Sequence, residues 1–279
     1  MDGIFLIDKS KNMSSFEVVK HIRKKFNVSK VGHAGTLDPF ATGLLVILVG
    51  RATKIASLFL NQKKSYQAMI KFGEETDTQD YLGKKKGVSE YLPSINEIEE
   101  QLLKMKEYFQ MPPMFSAKKI AGKKLYEYAR KGLDVKREKV KIKIHSHKII
   151  DYNPPFLELS LTVSKGTYIR TIADDLGKRC KTFGHVLELK RISSGNFNIR
   201  KAKCIETIGI DDLVTFDEIF QENKKIILNE FLISKVKNGL VLDSRQYNKE
   251  EPFCVYNKKG EFIAYYVPTE NNSFKPVIN

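Results

Sequence analysis

The apolar residues of this chain fall into short continuous runs and into helical periods. Continuous runs at Ile4–Ile7 and Leu44–Val49 predict buried strands, and Ser65–Phe72 predicts a third strand. A helix is expected to begin at Ser14 or Ser15, because apolar residues then recur at steps of three and four, namely Phe16, Val19, Ile22 and Phe26. The same periodicity predicts helices over residues 53–60, 95–109 and 168–180.

From Val140 the pattern changes to strict alternation. Apolar side chains occupy one face of this segment (Val140, Ile142 and Ile144), and basic ones occupy the other (Lys141, Lys143, His145 and His147). This period of two predicts a half-buried strand with a basic outer face. Residues 157–163 are expected to pair with it across Asn153-Pro154-Pro155, and residues 186–192 lead into another strand. Strands mixed with helices, without an internal repeat, predict an α+β fold.

A polar stretch at residues 221–225 marks an expected boundary. Beyond it come short β runs at Phe253–Tyr256 and Phe262–Val267, with Lys258-Lys259-Gly260 as a hairpin turn between them. The chain is therefore expected to end in a second, smaller β unit.

The charge of the chain indicates a polyanionic partner. Lys and Arg number 48 against 33 Asp and Glu, which gives +15 over 279 residues. The excess is concentrated between Lys118 and Lys143, where eleven basic residues face three acidic ones. Charge alone does not choose among RNA, DNA and a membrane surface.

Cysteine usage and the start of the chain indicate a cytoplasmic protein. The three cysteines, Cys180, Cys204 and Cys254, are far apart and form no zinc-binding spacing, so we expect reduced thiols. The first residues are too acidic for a signal peptide, and no apolar run approaches the length of a membrane span. We expect no metal site.

Residues 32–43 form a loop that holds one carboxylate among glycines. They read Gly32-His33-Ala34-Gly35-Thr36-Leu37-Asp38-Pro39-Phe40-Ala41-Thr42-Gly43. Glycine permits positive φ and close approach of a ligand, and Pro39 restricts Asp38 to extended backbone. Taken alone, an Asp-Pro pair in such a loop is most often a simple turn. It is not a P-loop, because no Gly-Lys-Ser/Thr follows.

Six further motifs stand in a fixed order around this loop. They are Gly3-Ile4-Phe5-Leu6-Ile7-Asp8-Lys9 with Met13-Ser14-Ser15, Gly50-Arg51-Ala52-Thr53-Lys54, Lys64-Ser65-Tyr66, the Gly73–Gly83 segment with Thr76-Asp77-Thr78 and Asp80, Lys123-Lys124-Leu125-Tyr126-Glu127-Tyr128-Ala129-Arg130, and Lys165-Gly166-Thr167-Tyr168-Ile169-Arg170-Thr171. Together the seven motifs closely resemble the bacterial tRNA pseudouridine synthase B family over residues 3–210. Departures from the family pattern are small: Phe40 replaces Leu, Val46 replaces Pro, and Lys190-Arg191 replaces a double Arg.

The resemblance implies a fold and a reaction. The fold would be the pseudouridine synthase fold, with a mixed, largely antiparallel central sheet flanked by helices and a catalytic cleft across its middle. The reaction would isomerise the T-loop uridine at position 55 of tRNA to pseudouridine. It involves no redox change and no group transfer, so no cofactor is expected.

The same resemblance implies three catalytic residues. Asp38 would act as a nucleophile or as a base at the ribose, Arg170 would hold it ionised by a charge-assisted pair, and Tyr66 would face the uracil. From the residues alone, Arg170 would be an ordinary surface arginine at a helix start, and Tyr66 a half-buried strand tyrosine.

Further positions are implied for the substrate. Tyr168 and Leu189 resemble pocket walls, and His33 would stack in the gap that a flipped-out uridine leaves in the RNA. Three more positions, Lys9, Lys54 and Asp80, match family residues with supporting roles that the sequence does not specify. A lone histidine in a glycine-rich loop is otherwise usually a turn residue.

Two parts of the chain would add RNA contacts. Residues 111–143, here called the thumb, match an insertion that closes over the T-arm, with phosphate contacts expected from Lys123, Lys124 and Lys131. Residues 1–222 would form the catalytic domain, and residues 223–279 resemble an abbreviated PUA domain, although a plain β appendage fits nearly as well. We expect a monomer that binds tRNA and has no protein partner.

Three alternatives remain open at this point. A guide-RNA-dependent pseudouridine synthase has a similar Asp loop but lacks the Lys123–Arg130 motif. A serine acyl enzyme is suggested by Ser116-Ala117-Lys118-Lys119, yet Lys165-Gly166-Thr167 has the wrong order for its second motif. A non-catalytic tRNA-binding or tRNA-folding protein on the same fold is disfavoured by an intact Asp38, Tyr66 and Arg170 set.

Overall fold

Ten strands of the first part of the chain assemble into one mixed sheet in the computed structural model, which describes residues 1–279. The regular elements of this part, in chain order, are β1 (Gly3–Lys9), α1 (Ser15–Lys25), β2 (Val31–His33), β3 (Thr42–Val49), α2 (Ala56–Leu60), β4 (Lys64–Phe72), β5 (Glu74–Thr76), β6 (Lys85–Val88), α3 (Ile95–Lys104), β7 (Glu107–Gln110), β8 (Lys119–Ile120), β9 (Lys123–Lys124), α4 (Leu125–Ala129), β10 (Val140–Asn153), β11 (Phe156–Val163), α5 (Ile169–Arg179), β12 (Gly184–Ser194), β13 (Phe197–Asn198), β14 (Lys203–Cys204) and α6 (Phe216–Ile219).

The main sheet has ten strands and is largely antiparallel. Its order is β14-β1-β3-β12-β4-β11-β10-β7, with β2 paired to β3 and β13 to β12, while β5 pairs with β6 and β8 with β9 in two small separate sheets. Only the β1–β14 and β3–β12 pairs are parallel. In the central strand β4, Tyr66 lies opposite Leu161 of β11 on one side and Arg191 of β12 on the other. The expected α+β class with a mixed, largely antiparallel sheet is confirmed.

Helices cover one face of this sheet. Strand β4 alternates in burial, with Tyr66, Ala68 and Ile70 on the buried face, as the period of two requires. Side chains of α1, α3 and α5 complete a core of 34 buried residues against that face. The sheet therefore fixes the direction of Tyr66 toward the side on which α5 lies.

Two expectations from periodicity were wrong. Phe16 is 57% exposed, and the buried stripe of α1 contains Val18, Val19 and Ile22. The helix predicted over 95–109 ends at Lys104, because residues 107–110 pair with Val140–Lys143 as an edge strand instead. Pairing with an existing strand satisfies the backbone groups of a Tyr-Phe segment that also favours β structure.

The end of the chain forms a second sheet. Its elements are β15 (Lys224–Ile227), α7 (Glu230–Lys237), β16 (Leu242–Asp243), β17 (Phe253–Tyr256), β18 (Phe262–Pro268) and β19 (Ser273–Ile278). The strand order is β15-β17-β18-β19-β16. The predicted hairpin between β17 and β18 is confirmed, and Gly260 takes φ +78° at its turn.

An aromatic cluster joins the two sheets. The ring of Phe220 stacks on that of Tyr265 with centroids 4.1 Å apart, and Phe216 lies 4.6 Å from Phe262. Arg51 adds a guanidinium 5.5 Å from the Phe216 ring and donates to the Ile263 carbonyl at 3.1 Å. These contacts bury apolar area from both parts in one shared core.

Two substitutions on α1 test which face of this helix is buried. Ile22→Ala removes a fully buried side chain and should lower the free energy of unfolding by about 2–5 kcal/mol. Phe16→Ala removes an exposed ring and should change it by less than about 1 kcal/mol. Urea denaturation followed by circular dichroism measures both. Equal losses in the two variants would mean that Phe16 belongs to the core after all.

Candidate active site

The Asp38 loop, residues 32–43, is held by hydrogen bonds to residues near the start of the chain. Ser15 Oγ accepts from the Leu37 amide at 2.9 Å and donates to the Leu37 carbonyl at 3.1 Å. The Pro39 carbonyl accepts from the Asn12 amide at 2.9 Å and from Lys9 Nζ at 3.3 Å. The residues on both sides of Asp38 are therefore fixed by side chains or backbone of the segment 9–15.

Arg191 holds the other side of the same loop. It is 1% exposed, and it donates to the carbonyls of Leu44 at 2.7 Å, Gly35 at 3.0 Å and Thr36 at 3.4 Å. Gly43 has φ +98°, and a Cβ there would lie 2.4 Å from the Arg191 carbonyl oxygen. Only glycine permits this contact between β3 and β12.

Asp38 and Arg170 form a two-point ion pair. Arg170 Nε lies 2.8 Å from Asp38 Oδ2, and Nη2 donates to Asp38 Oδ1 at 3.2 Å. The arginine side chain is 4% exposed, whereas that of Asp38 is 34% exposed. Such a planar pairing fixes the orientation of the carboxylate. One carboxylate is thus held rigidly while part of it still faces the solvent.

The remaining donors of Arg170 are also satisfied. Nη1 donates to the Thr78 carbonyl at 2.8 Å and to Asp80 Oδ2 at 3.4 Å, and Nη2 donates to the Phe115 carbonyl at 2.8 Å. Burial raises the pKa of Asp80, although the Thr78 hydroxyl at 2.6 Å and Arg170 act in the opposite direction. The predicted Asp80 position therefore supports Arg170 from behind and does not contact the cavity.

A cavity of about 330 Å³ opens above the ion pair. Its walls contain Asp38, Arg170 and three other predicted residues, Tyr66, Tyr168 and Leu189. Burial raises the pKa of Tyr168, so this wall is a neutral phenol at ordinary pH. A volume of this size lies within the range of pockets that hold small ligands.

Like Asp80, three other positions predicted to support substrate binding lie outside this cavity. Lys9 is buried beneath the loop, and burial lowers its pKa to about 8. His33 is half-buried in β2, its Nδ1 has no hydrogen-bond partner, and burial lowers its pKa. Lys54 is exposed and donates to Asn279 Oδ1 at 2.9 Å, so the structure does not bring it to the cavity.

The thumb is tied to the cavity at its base and exposed at its tip. The Phe115 carbonyl accepts from Arg170, and Ala117 and Lys118 line the cavity. Farther out, Lys123 and Lys131 are exposed, while Lys124 lies 5.4 Å from the Tyr126 ring. The lysines can thus meet a polyanion at the rim without reaching Asp38.

Two residues that shape the site were missed as functional positions. Lys64 was seen only as part of the Lys64-Ser65-Tyr66 motif; it lines the cavity and donates to the Leu60 carbonyl at 3.2 Å and the Gln62 carbonyl at 3.1 Å. Its spacing of two from Tyr66 places both on one strand face, which was an available signal. In the sequence, Arg191 stands out only as part of the Lys190-Arg191 pair that replaces a double Arg, and nothing there indicates its carbonyl partners.

The arrangement supports carboxylate chemistry. It offers one fixed, partly exposed carboxylate and an aromatic wall. No group of three or more His, Cys, Asp or Glu side chains gathers in a position to hold a metal ion. Ser116 is buried whereas Lys119 is exposed, and no hydrogen bond joins the two, so the lysine is not placed to activate that serine.

Comparison with known proteins gives consistent matches. The family described as TruB family pseudouridylate synthase (N terminal domain) matches residues 23–169. The chain is 44% identical to the tRNA pseudouridine synthase B of Acholeplasma laidlawii, over 99% of this chain and 98% of that protein. It is 41% identical to the protein of the same name from Onion yellows phytoplasma, over 99% of both chains.

Solved structures resemble the fold at lower identity. An H/ACA RNP bound to a substrate RNA containing 2′-deoxyuridine matches with a TM-score of 0.69 and 18% identity, over 99% of this chain and 84% of that one. A Cbf5-Nop10-Gar1 complex matches with a TM-score of 0.67 and 20% identity, over 97% and 79%. At these identities the likeness concerns the fold. No helix of the chain has both the length and the apolar character to span a membrane.

The buried amine of Lys64 makes stability depend on pH. Burial lowers its pKa from 10.5 to about 8, and the nearby Arg191 acts in the same direction. Between these two values the unfolded chain binds more protons than the folded one, so this group's contribution to the free energy of unfolding rises with pH. Compared with Lys64→Met, the wild-type protein should therefore gain stability from about pH 8 to about pH 10. Urea denaturation across that range measures the difference, and a constant gap would contradict the lowered pKa.

Proposed function

The chain belongs to the TruB family of pseudouridylate synthases, and we propose that it isomerises one uridine of tRNA, the T-loop uridine at position 55, to pseudouridine. The observation that carries the proposal is the Asp38–Arg170 pair, at 2.8 Å, at the wall of a cavity that also contains Tyr66. Curated relatives named tRNA pseudouridine synthase B are 44% and 41% identical over nearly the whole chain.

The reaction exchanges one bond of the nucleoside for another. The C1′–N1 bond breaks, the uracil rotates, the C1′–C5 bond forms, C5 loses its proton and N1 ends protonated. Asp38 acts either as a nucleophile or as the base that removes a ribose proton. Arg170 pairs with the carboxylate and orients it, and the buried environment strengthens that pairing. Tyr66 and Leu189 hold the uracil between them.

The uridine must leave the RNA stack before it can reach Asp38. Flipping costs a few kcal/mol, so groups that occupy the vacated space favour the bound state. We propose that His33, which projects from β2 beside the loop, stacks in that gap. The thumb then closes over the T-arm, with Lys123, Lys124 and Lys131 on the phosphates.

The remaining parts of the chain receive supporting roles. We propose that residues 1–222 act as the catalytic domain and that residues 223–279, with their own sheet, act as an abbreviated PUA-like RNA-binding module. The protein would act as a monomer in the cytoplasm. The Lys123–Arg130 motif within the thumb favours a stand-alone enzyme over a guide-RNA-dependent one.

Tritium release tests the activity and its catalytic carboxylate together. Purified protein, without any guide RNA, should release tritium from a tRNA transcript that carries 5-³H-uridine. Asp38→Asn keeps the shape of the side chain but removes its charge, so release should cease while tRNA affinity stays within about threefold of wild type. Replacing the position-55 uridine by cytidine should abolish release by the wild-type enzyme.

The matched control is Asp211→Asn, which alters an exposed aspartate outside the cavity. This variant should retain the wild-type rate. No release by the wild-type protein would remove the enzyme interpretation and leave an RNA-binding protein. A residual rate within about tenfold of wild type in Asp38→Asn would show that another group does the chemistry.

The thumb lysines are tested by the salt dependence of binding. Replacing Lys123, Lys124 and Lys131 together by Gln should weaken tRNA binding, and each lost phosphate contact should reduce the log–log salt slope by about 0.7–0.9. Filter binding at several salt concentrations measures the slope. The rate at saturating tRNA should fall much less than in Asp38→Asn. An unchanged slope would mean that the cluster is only a solvated face.

A further inference from the structure

We propose that Gln110 is a positioning residue for the reaction: its side-chain amide fixes the backbone of Tyr168, and through it the start of the helix that carries Arg170. The proposal rests on the proposed function. Gln110 is the last residue of β7 and is 1% exposed. It does not line the cavity, so its influence must pass through the residues that do.

The amide of Gln110 makes a two-way contact with one residue. Its Oε1 accepts from the Tyr168 amide at 2.9 Å, and its Nε2 donates to the Tyr168 carbonyl at 3.1 Å. The side chain thus imitates the pairing of a neighbouring strand. Both backbone groups of Tyr168 are fixed at once, and the plane of that residue is set.

Tyr108 and Asp175 determine the orientation of the Gln110 side-chain amide, that is, which side carries Oε1 and which carries Nε2. Nε2 also donates to the Tyr108 hydroxyl at 3.2 Å, and that hydroxyl donates to Asp175 Oδ2 at 2.8 Å. Asp175 lies on α5, so this series of hydrogen bonds connects α5 through Tyr108 and Gln110 to Tyr168, the residue that precedes the helix. Because each donor in the series has an acceptor, an amide flipped by 180° would lose the three hydrogen bonds that Gln110 makes.

Apart from Gln110, the Tyr168 backbone is bonded to its own helix, where the Tyr168 carbonyl accepts from the Ile172 amide at 3.0 Å. Tyr168 is the N-cap residue of α5, yet its side chain does not cap the helix. Arg170 follows two residues later and pairs with Asp38. A shift of the Tyr168 backbone would therefore move one wall of the cavity and the arginine together. Displacements near 1 Å in such a site can cost about 100-fold in rate.

Gln110 also stands where the thumb leaves the sheet. It pairs with Val140, so both ends of the thumb meet at this point of the sheet. Five residues later, the Phe115 carbonyl accepts from Arg170 Nη2. The base of the thumb is thus joined to the catalytic arginine at two places, once through Tyr168 and once directly.

Gln110→Glu provides a test with its own pH signature. A protonated carboxyl has one donor and one acceptor, as this contact requires, whereas a carboxylate would face the Tyr168 carbonyl with a second acceptor. Burial should raise the pKa of the introduced acid. The charged groups around it are Asp175 and Arg179 of α5, with Arg179 5.6 Å from the Tyr108 ring, and two arginines that donate to the adjoining segment, Arg170 to the Phe115 carbonyl and Arg137 to the Pro112 carbonyl. The single-turnover tritium-release rate, relative to wild type, should fall at least tenfold at about pH 8 and recover to within about threefold near pH 6.

Gln110→Leu removes the bonds without a titratable group. Its rate should be reduced at every pH while tRNA affinity changes little, and exchange of the Tyr168 amide with deuterium should accelerate. Gln101→Leu, on α3, is the matched control and should match wild type in rate and exchange. Normal protection of β10 and β11 in the Gln110 variants separates repositioning from unfolding.

The outcomes distinguish this inference from the proposed function. The inference about Gln110 would be overturned, and the proposed function kept, if the wild-type protein releases tritium while Gln110→Leu has an unaffected release rate and unchanged deuterium exchange at the Tyr168 amide. A Gln110→Glu deficit that does not diminish at lower pH would also count against it. Absence of wild-type release would overturn the proposed function, and the exchange of the Tyr168 amide would then decide by itself whether Gln110 fixes that residue.

Discussion

A guanidinium group buried in a protein must find acceptors for all its donors, since an unpaired buried charge costs several kcal/mol. Arg170 meets this constraint with partners from three separate segments: Asp38, the Thr78–Asp80 turn and the Phe115 carbonyl at the base of the thumb. None of these segments is a regular helix or strand of the main sheet. Other bonds also hold these segments, among them those of Ser15 and Arg191 to the Asp38 loop, but Arg170 is the side chain that contacts all three at the wall of the cavity.

Much of the fold follows from apolar patterning, and the departures have local causes. The continuous run at 44–49 and the alternation from Val140 predict their strands correctly, because burial on one or both faces leaves a clear period. The predictions for Phe16 and for the end of α3 were wrong for a different reason. Helical spacing does not say which of two adjacent residues faces the core. It also cannot foresee that residues 107–110 will pair with a strand 30 to 36 residues farther along the chain.

Some residues of the candidate site can be identified from the sequence and others cannot. Asp38, Tyr66 and Arg170 are recognisable because the side chains themselves belong to short motifs, and the structure brings all three to one cavity. Arg191 and Gln110 are not recognisable as determinants of geometry, because their partners are backbone carbonyls and amides of distant residues. Any residue type presents the same carbonyl, so no pattern in the sequence marks such a partner.

The chemistry of the cavity follows from where its charges are neutralised. Four cationic residues line it, Lys64, Lys118, Arg170 and Arg191, against the single carboxylate of Asp38. Lys64 and Arg191 are satisfied by backbone carbonyls, which supply acceptors without supplying negative charge. Positive potential thus remains over the opening even though every buried cation is hydrogen-bonded. This potential attracts a polyanion to the opening above Asp38. A carboxylate partner for each cation would have cancelled that attraction.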